Sequence, residues 1–359
     1  MFIILAFSTI SCTPVAPKAE QPVTESGNVI ETITEEDDSG VVESELNNGG
    51  EEQPEEQSEE LPAPDPQPQE QPLPEPQPIP EEPEVPDHKY QELALLALDL
   101  INQDRIENGL SPVVMGGNTA SQIHAEENLA YSHSSHWGMD GSKPYMRYTL
   151  AGGVNYVREN VLGVRASDGP SEMNDPEETL EQAQEAFMDS PPHRAGILDK
   201  WNKKVSLGIA YDDSSFVLVQ HFEGDYIGFS EVPAVSGTIL SMAGKLKTGN
   251  FDRIAVRYDP LPKSLSPQQL NASPYDSLYS VGELIGFVLP PLPPGSFYPT
   301  LSPFDTIGTT WDVRSEGWFD IGADISQIVG KGTGVYTIEV IANVGGEFIP
   351  VSNYSIFIQ

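Results

Sequence analysis

The chain has 359 residues, enough for more than one domain, and carries a formal net charge of −37. Residues 13–88 hold 22 of the acidic residues, one Lys and 15 Pro. A segment of this composition cannot bury enough apolar surface to fold, so we expect a disordered, extended spacer. Because no basic patch occurs anywhere in the sequence, nucleic acid is excluded as a partner.

Residues 1–12 read MFIILAFSTISC. The apolar run is too short to span a bilayer and resembles the apolar core of a signal peptide. Cys12, the only cysteine, ends it, as in a bacterial lipoprotein whose cysteine becomes lipidated. No Lys or Arg precedes the run, and Thr9 stands where that signal usually carries Leu, Val or Ile, so simple secretion is the alternative. Both readings predict an extracellular or cell-surface protein with no internal disulfide, and only a lipid on Cys12 would bring it into contact with a membrane.

Three helices are predicted behind the spacer. Apolar residues at helical spacing predict the first over 89–108 and the second over about 118–131. The third begins at Asp175-Pro176, where a capping Asp precedes a Pro in the first turn, and it ends at Pro191. Candidate strands at 159–164, 205–211 and 216–222 complete an α+β or three-layer domain over residues 89–230.

The helical period is lost from Glu231 onward. β-rich runs separated by Gly and Pro follow, and residues 335–344 and 348–358 flank Gly345-Gly346 as in a β-hairpin. The proline-rich stretch 289–304 is a long connection between strands. We therefore predict a separate antiparallel β-sandwich domain over residues 231–359.

Five of the six histidines lie between residues 124 and 221. In chain order they are His124, His133, His136, His193 and His221. Two histidines and a carboxylate such as Glu159, drawn from separate segments, suit a divalent metal with an open coordination position if they converge. The alternative is structural, with the same side chains hydrogen-bonding to one another and to buried backbone.

Four motifs stand in order: SHWGMDGS at 135–142, RENV at 158–161, SPPHRAGIL at 190–198 and GIA at 208–210. Together they resemble the successive motifs of the CAP superfamily (cysteine-rich secretory proteins, antigen 5 and pathogenesis-related proteins) in its bacterial SCP-like form. The resemblance covers about residues 90–226 and says nothing about the spacer or the C-terminal part.

The resemblance implies an α-β-α sandwich with a central cleft lined by two histidines and two glutamates. His136 matches the first histidine, Glu159 the first glutamate and His193 the second histidine. Ser190 stands where the second glutamate is expected, which removes one acid from a glutamate-assisted hydrolysis. Because some members bind zinc or another divalent ion in this cleft, the resemblance implies His136 and His193 as metal ligands.

Three functions are open at this point. The first is a surface-displayed, non-enzymatic module whose cleft binds a small ligand, an ion or a cell-surface partner. The second is a metal-dependent hydrolase of peptides or cell-wall material, with metal on His136 and His193 and Glu159 as general base. The third is lipid or sterol binding, which also occurs in the family.

Overall fold

The computed structural model describes residues 6–9, 88–165, 175–298 and 301–359. All of these described residues belong to one compact unit. The predicted spacer and Cys12 lie outside the described residues, and so does most of the predicted signal segment. Within the described ranges, no helix has the length and apolar character needed to cross a membrane.

The first part of the compact unit combines five helices with one five-stranded sheet. Its elements are β1 (Ala6–Thr9), α1 (His88–Glu107), β2 (Val114–Met115), α2 (Ala120–Ala130), α3 (Pro144–Leu150), β3 (Val157–Arg165), α4 (Pro176–Asp189), α5 (Pro191–Ile197), β4 (Lys204–Tyr211) and β5 (Ser215–Glu223). The strands lie in the order β1-β3-β5-β4-β2. All neighbouring pairs are antiparallel except β2 and β4.

Helices cover both faces of this sheet. Leu162 of β3 packs in one apolar cluster with residues of α1, α4 and α5, whereas Val161 packs in another with α2. The two clusters arise because successive side chains of a strand point to opposite faces. The arrangement is the α-β-α sandwich that the sequence predicts.

The three predicted helices correspond to α1, α2 and α4, and the three predicted strands to β3, β4 and β5. Asp175 caps α4 as expected, its side chain accepting a hydrogen bond from the Glu177 N–H. Helix α3 was not anticipated. Nor was α5: Pro191 and Pro192 do not merely turn the chain but occupy the first positions of a new helix, which holds His193. Proline suits these positions because their N–H groups have no partner within a helix.

The second part is built from strands. They are β6 (Ile227–Ser236), β7 (Ile239–Leu246), β8 (Asn250–Asp259), β9 (Glu283–Leu289), β10 (Thr306–Ile307), β11 (Thr310–Val313), β12 (Trp318–Asp324), β13 (Gly334–Val344) and β14 (Glu347–Ile358), with the short helices α6 (Pro267–Leu270) and α7 (Ser326–Val329). One sheet has the order β10-β9-β8-β13-β14 and the other β11-β12-β7-β6.

The two sheets share one apolar core, so this part is a sandwich. Met242 and Ile321 from one sheet belong to the same buried cluster as Val256 and Ile338 from the other. The predicted hairpin is present as β13 and β14, with Gly345 and Gly346 both at positive φ, as its two-residue turn requires. All neighbouring strands are antiparallel except the short pair β9 and β10.

The first part packs against the edge of the second. The Tyr156 N–H donates to the Val351 carbonyl at 3.0 Å, and Asn353 of β14 exchanges hydrogen bonds of 3.2 and 3.3 Å with the Val157 backbone. Strand β6 begins at Ile227, ahead of the predicted border at residue 230. The division into two domains stays a prediction.

Candidate functional site

Strand β3 divides the RENV motif between the two faces of the sheet. Because side chains alternate along the strand, Glu159 shares the face of Val161 and α2, and Asn160 shares the face of Leu162 and α4. Two adjacent residues of one motif therefore enter different layers of the sandwich.

The Glu159 carboxylate is the centre of a buried polar cluster on the α2 face. His136 Nδ1 lies 2.8 Å from Oε1, and His221 Nε2 lies 2.7 Å from Oε2. Arg147 Nη2, from α3, donates to Oε2 at 3.0 Å. Glu159 is only 2 % exposed, and both histidines are fully buried. His221 reaches Glu159 because the two residues are direct neighbours across β3 and β5.

These contacts keep the Glu159 carboxylate ionised. Burial by itself raises the pKa of this carboxyl. The Arg147 charge and the hydrogen bonds from His136 and His221 outweigh burial and hold the pKa well below its usual range. Both oxygens of this carboxylate thus contact fixed side chains. One of these side chains is Arg147, whose guanidinium lies on Oε2.

A second histidine pair lies beside this cluster. His124 Nδ1 and His133 Nε2 stand 3.7 and 3.8 Å from Glu127 Oε1, and His124 Nε2 lies 2.8 Å from the Ser135 carbonyl oxygen. Neither ring nitrogen of His133 has a hydrogen-bond partner among the described residues. Burial lowers the pKa of both imidazoles, that of His133 to about 4. Both rings are therefore neutral near pH 7.

His193 belongs to the opposite face. Its ring packs on Phe187 of α4 with centroids 4.9 Å apart, and its carbonyl oxygen accepts from Asn160 Nδ2 at 3.2 Å. Asn160 also donates to Gln220, and the hydrogen bonds continue through Gln184 to Asp104 of α1. This chain of amides joins α1, α4 and α5 to the sheet.

The structure brings together some of the predicted site residues and separates others. His136 and Glu159 are in direct contact, whereas His193 lies in the layer across the sheet. Ser190 is half-buried at the junction of α4 and α5. Arg147 carried no signal in the sequence. His221 could have been found by pairing the predicted strands 159–164 and 216–222 antiparallel, which sets it opposite Glu159.

The donors do not fit one metal ion held by His136 and His193, because the sheet separates the two histidines. Glu159 is a poor third ligand, since Arg147 already neutralises its charge. Among the described residues, no group of three or more His, Cys, Asp or Glu is placed to hold a metal ion. The predicted zinc or other divalent ion stays a prediction.

Comparison with known proteins identifies a family for the first part. Residues 98–222 match the family model described as the cysteine-rich secretory protein family, CAP. No curated protein matches the chain.

Two solved structures are similar at low identity. An extracellular protein containing a SCP domain, from Bacillus anthracis str. Ames, is 19 % identical with a TM-score of 0.30, over 40 % of this chain and 45 % of its own. An outer surface protein from Borrelia burgdorferi is 16 % identical with a TM-score of 0.29, over 39 % of this chain and 96 % of its own. The chain thus spans less than half the length of the first of these proteins.

Proposed function

We propose, from the premise that residues 98–222 are a domain of the CAP family, that this chain is an exported, non-enzymatic binding module. Its RENV and SHWGMDGS motifs build the fold and present His136 to a small ligand or ion. The apolar start of the chain and the position of Cys12 support export and a lipid anchor at the cell surface.

The observation that carries this proposal is the state of Glu159. A general base must reach the proton that it removes and must have a lone pair free to accept it. Glu159 is buried, its two oxygens face His136, His221 and Arg147, and its pKa is strongly depressed. A carboxylate held in this way is a weak base, and its main effect is to fix α3 and the loop of His136 onto the sheet.

The hydrolase alternative requires a different role of Glu159. It needs Glu159 to activate water, with a metal on His136 and His193. Two observations argue against the hydrolase function. The two histidines lie on opposite faces of the sheet, and Glu159 is paired with Arg147. Lipid or sterol binding stays an open prediction.

The substitution Glu159→Gln separates the two functions. If Glu159 is structural, the variant loses on the order of 3 kcal/mol of unfolding free energy, because the partly buried Arg147 is left without its counter-charge. Urea unfolding of the full chain measures the loss, and zinc-supplemented assays on casein and peptidoglycan measure hydrolysis. We expect no hydrolysis by either protein.

A matched control is Glu347→Gln, which removes the exposed ion pair with Lys200 and should cost less than about 0.5 kcal/mol. The proposal is overturned if the native chain hydrolyses either substrate and Glu159→Gln abolishes the activity with unfolding free energy unchanged.

A further inference from the structure

The connection between β8 and β9, residues 260–282, crosses the loop that carries His136. We call this connection the strap. Apart from the single turn of α6, it contains no helix or strand. Most of its residues are exposed, and Leu265 and Leu270 are its buried anchors. The strap belongs to the β-sandwich part by sequence but lies on the CAP domain.

Four hydrogen bonds join the strap to residues within the SHWGMDGS motif or next to it, so its path is tied to that motif. The hydrogen bonds are Leu265 N to Met139 O at 2.8 Å, Ser135 Oγ to Tyr275 O at 2.6 Å, Asn271 Nδ2 to Ser132 O at 3.0 Å and Lys143 Nζ to Ser280 O at 2.8 Å. Tyr275 also packs edge-to-face on Trp137, with ring centroids 5.4 Å apart.

Gly141 allows the strap to come this close. A Cβ at Gly141 would lie 2.3 Å from the Lys263 carbonyl oxygen, and the residue has φ +82°, which side chains disfavour. The motif glycine is therefore used here for contact with the C-terminal part of the same chain.

Tyr279 of the strap closes the site. Its ring lies on His136, with centroids 4.8 Å apart, and it also stands 6.3 Å from the Tyr145 ring. His136 is fully buried although it lies in a loop, which fits a side chain covered from outside by another segment.

We propose that the strap is a movable cover of the CAP site, so that a ligand reaches His136 only after Tyr279 has been displaced. This inference rests on the proposed function in taking His136 as the ligand-facing residue. The C-terminal part then controls entry to the domain that precedes it in the chain.

The position and bonding of the strap explain why it, and not the sheet, would move. Its ends continue into β8 and β9, which hold it in place, while its middle consists mostly of exposed residues and has few buried apolar side chains. Segments of this kind open locally at much lower free energy than a sheet core. Opening would leave the Glu159 contacts with His221 and Arg147 intact, since neither partner lies on the strap.

The test measures how accessible His136 is, with no ligand present. The full chain is treated with diethyl pyrocarbonate near neutral pH, and modification of each histidine is followed by peptide mass spectrometry. We expect His136 in the native chain to react far more slowly than free imidazole. Tyr279→Ala should raise its rate at least tenfold, and Tyr279→Phe, which keeps the ring, should not.

Two internal controls distinguish uncovering from unfolding. His193, buried across the sheet, should keep its rate in every variant, and Tyr298→Ala, outside the strap, should leave His136 unchanged. If Tyr279→Ala does not fold, Tyr275→Ala loosens the same segment. The proposal fails if His136 reacts freely in the native chain, if it stays slow in the strap variants, or if His193 accelerates equally. None of these outcomes depends on whether a ligand for the module is found.

Discussion

Glu159 is held by three partners of different chemistry, and they come from three separate elements. His136 follows α2, Arg147 lies in α3, and His221 lies in β5. A buried carboxylate costs much free energy unless it is paired and hydrogen-bonded, so these contacts must form together. The cluster therefore specifies how the α2–α3 layer sits on the sheet.

The neutral histidines beside this cluster make stability depend on pH. His133 has a folded-state pKa of about 4, against about 6.5 when unfolded, and the pKa of His124 is also lowered by burial. A depressed histidine pKa means that the unfolded chain takes up protons first as pH falls. The stabilising effect is complete above pH 6.5 and is lost as pH falls from about 6.5 toward 4.

We expect the free energy of unfolding to fall by on the order of 2 kcal/mol between pH 7 and pH 4.5 through these two residues. The depressed pKa of Glu159 adds a loss in the same direction below about pH 4.5. Urea unfolding at several pH values measures the slope. His133→Gln should flatten it above pH 4.5, and an unchanged slope in that variant would assign the pH dependence to other groups.

Among the packed elements, helix α2 lies directly on strand β4. A Cβ on Gly208 would stand 2.0 Å from the Ser121 carbonyl oxygen of α2 and 2.7 Å from the Gln122 nitrogen. Helix and strand backbones can approach this closely only where the strand has no side chain. The GIA motif is thus a helix-docking point.

Gly208→Ala should destabilise the chain by about 2 to 3 kcal/mol, because the backbone of α2 would have to move outward. Gly228→Ala, in β6, is the matched control, since its Cβ would meet nothing within 4 Å. Thermal unfolding of both variants measures the difference. Equal melting temperatures would show that α2 shifts without cost.

At the scale of the whole molecule, the first part, which contains the CAP match at residues 98–222, packs against the β-sandwich part. A mixed cluster of Tyr145, Met146, Tyr148 and Val157 with Val335 is buried between them. Asp259 adds polar contacts, with Lys143 Nζ at 2.7 Å and Tyr145 Oη at 2.5 Å. The strap is the outer margin of this interface, so closure of the site is a property of both parts together.

The proposed lipid anchor on Cys12 would also affect the behaviour of the whole molecule. When the full chain is produced in a bacterium, we expect it to enter the detergent phase of a Triton X-114 extract, because a lipid on Cys12 supplies apolar area that the acidic chain lacks. Cys12→Ala should move it to the aqueous phase. Thr9→Leu, which restores the usual residue of a lipoprotein signal, should stay in the detergent. A native chain found in the aqueous phase would favour simple secretion.

The sequence alone determined those helices and strands whose pattern of apolar and polar residues lies within one contiguous segment. Spacing and capping residues predict the helices α1, α2 and α4. Short β-rich runs predict the strands β3, β4 and β5, and a glycine pair predicts the β13–β14 hairpin. Four ordered motifs then identified the CAP domain, because each consists of contiguous residues. A periodic pattern of apolar residues cannot be recognised in elements this short. This applies to the helices α3 and α5 and to the edge strands.

Only the tertiary structure decided which residues meet. Glu159 and Asn160 are neighbours in sequence, but strand alternation sends them to opposite faces, and this separates His193 from His136. Arg147 completes the cluster from a helix that sequence did not indicate. Tyr279 covers His136 from 143 positions further along the chain. Contacts between segments so distant depend on how the sheets and helices of both parts pack together, which no local pattern encodes.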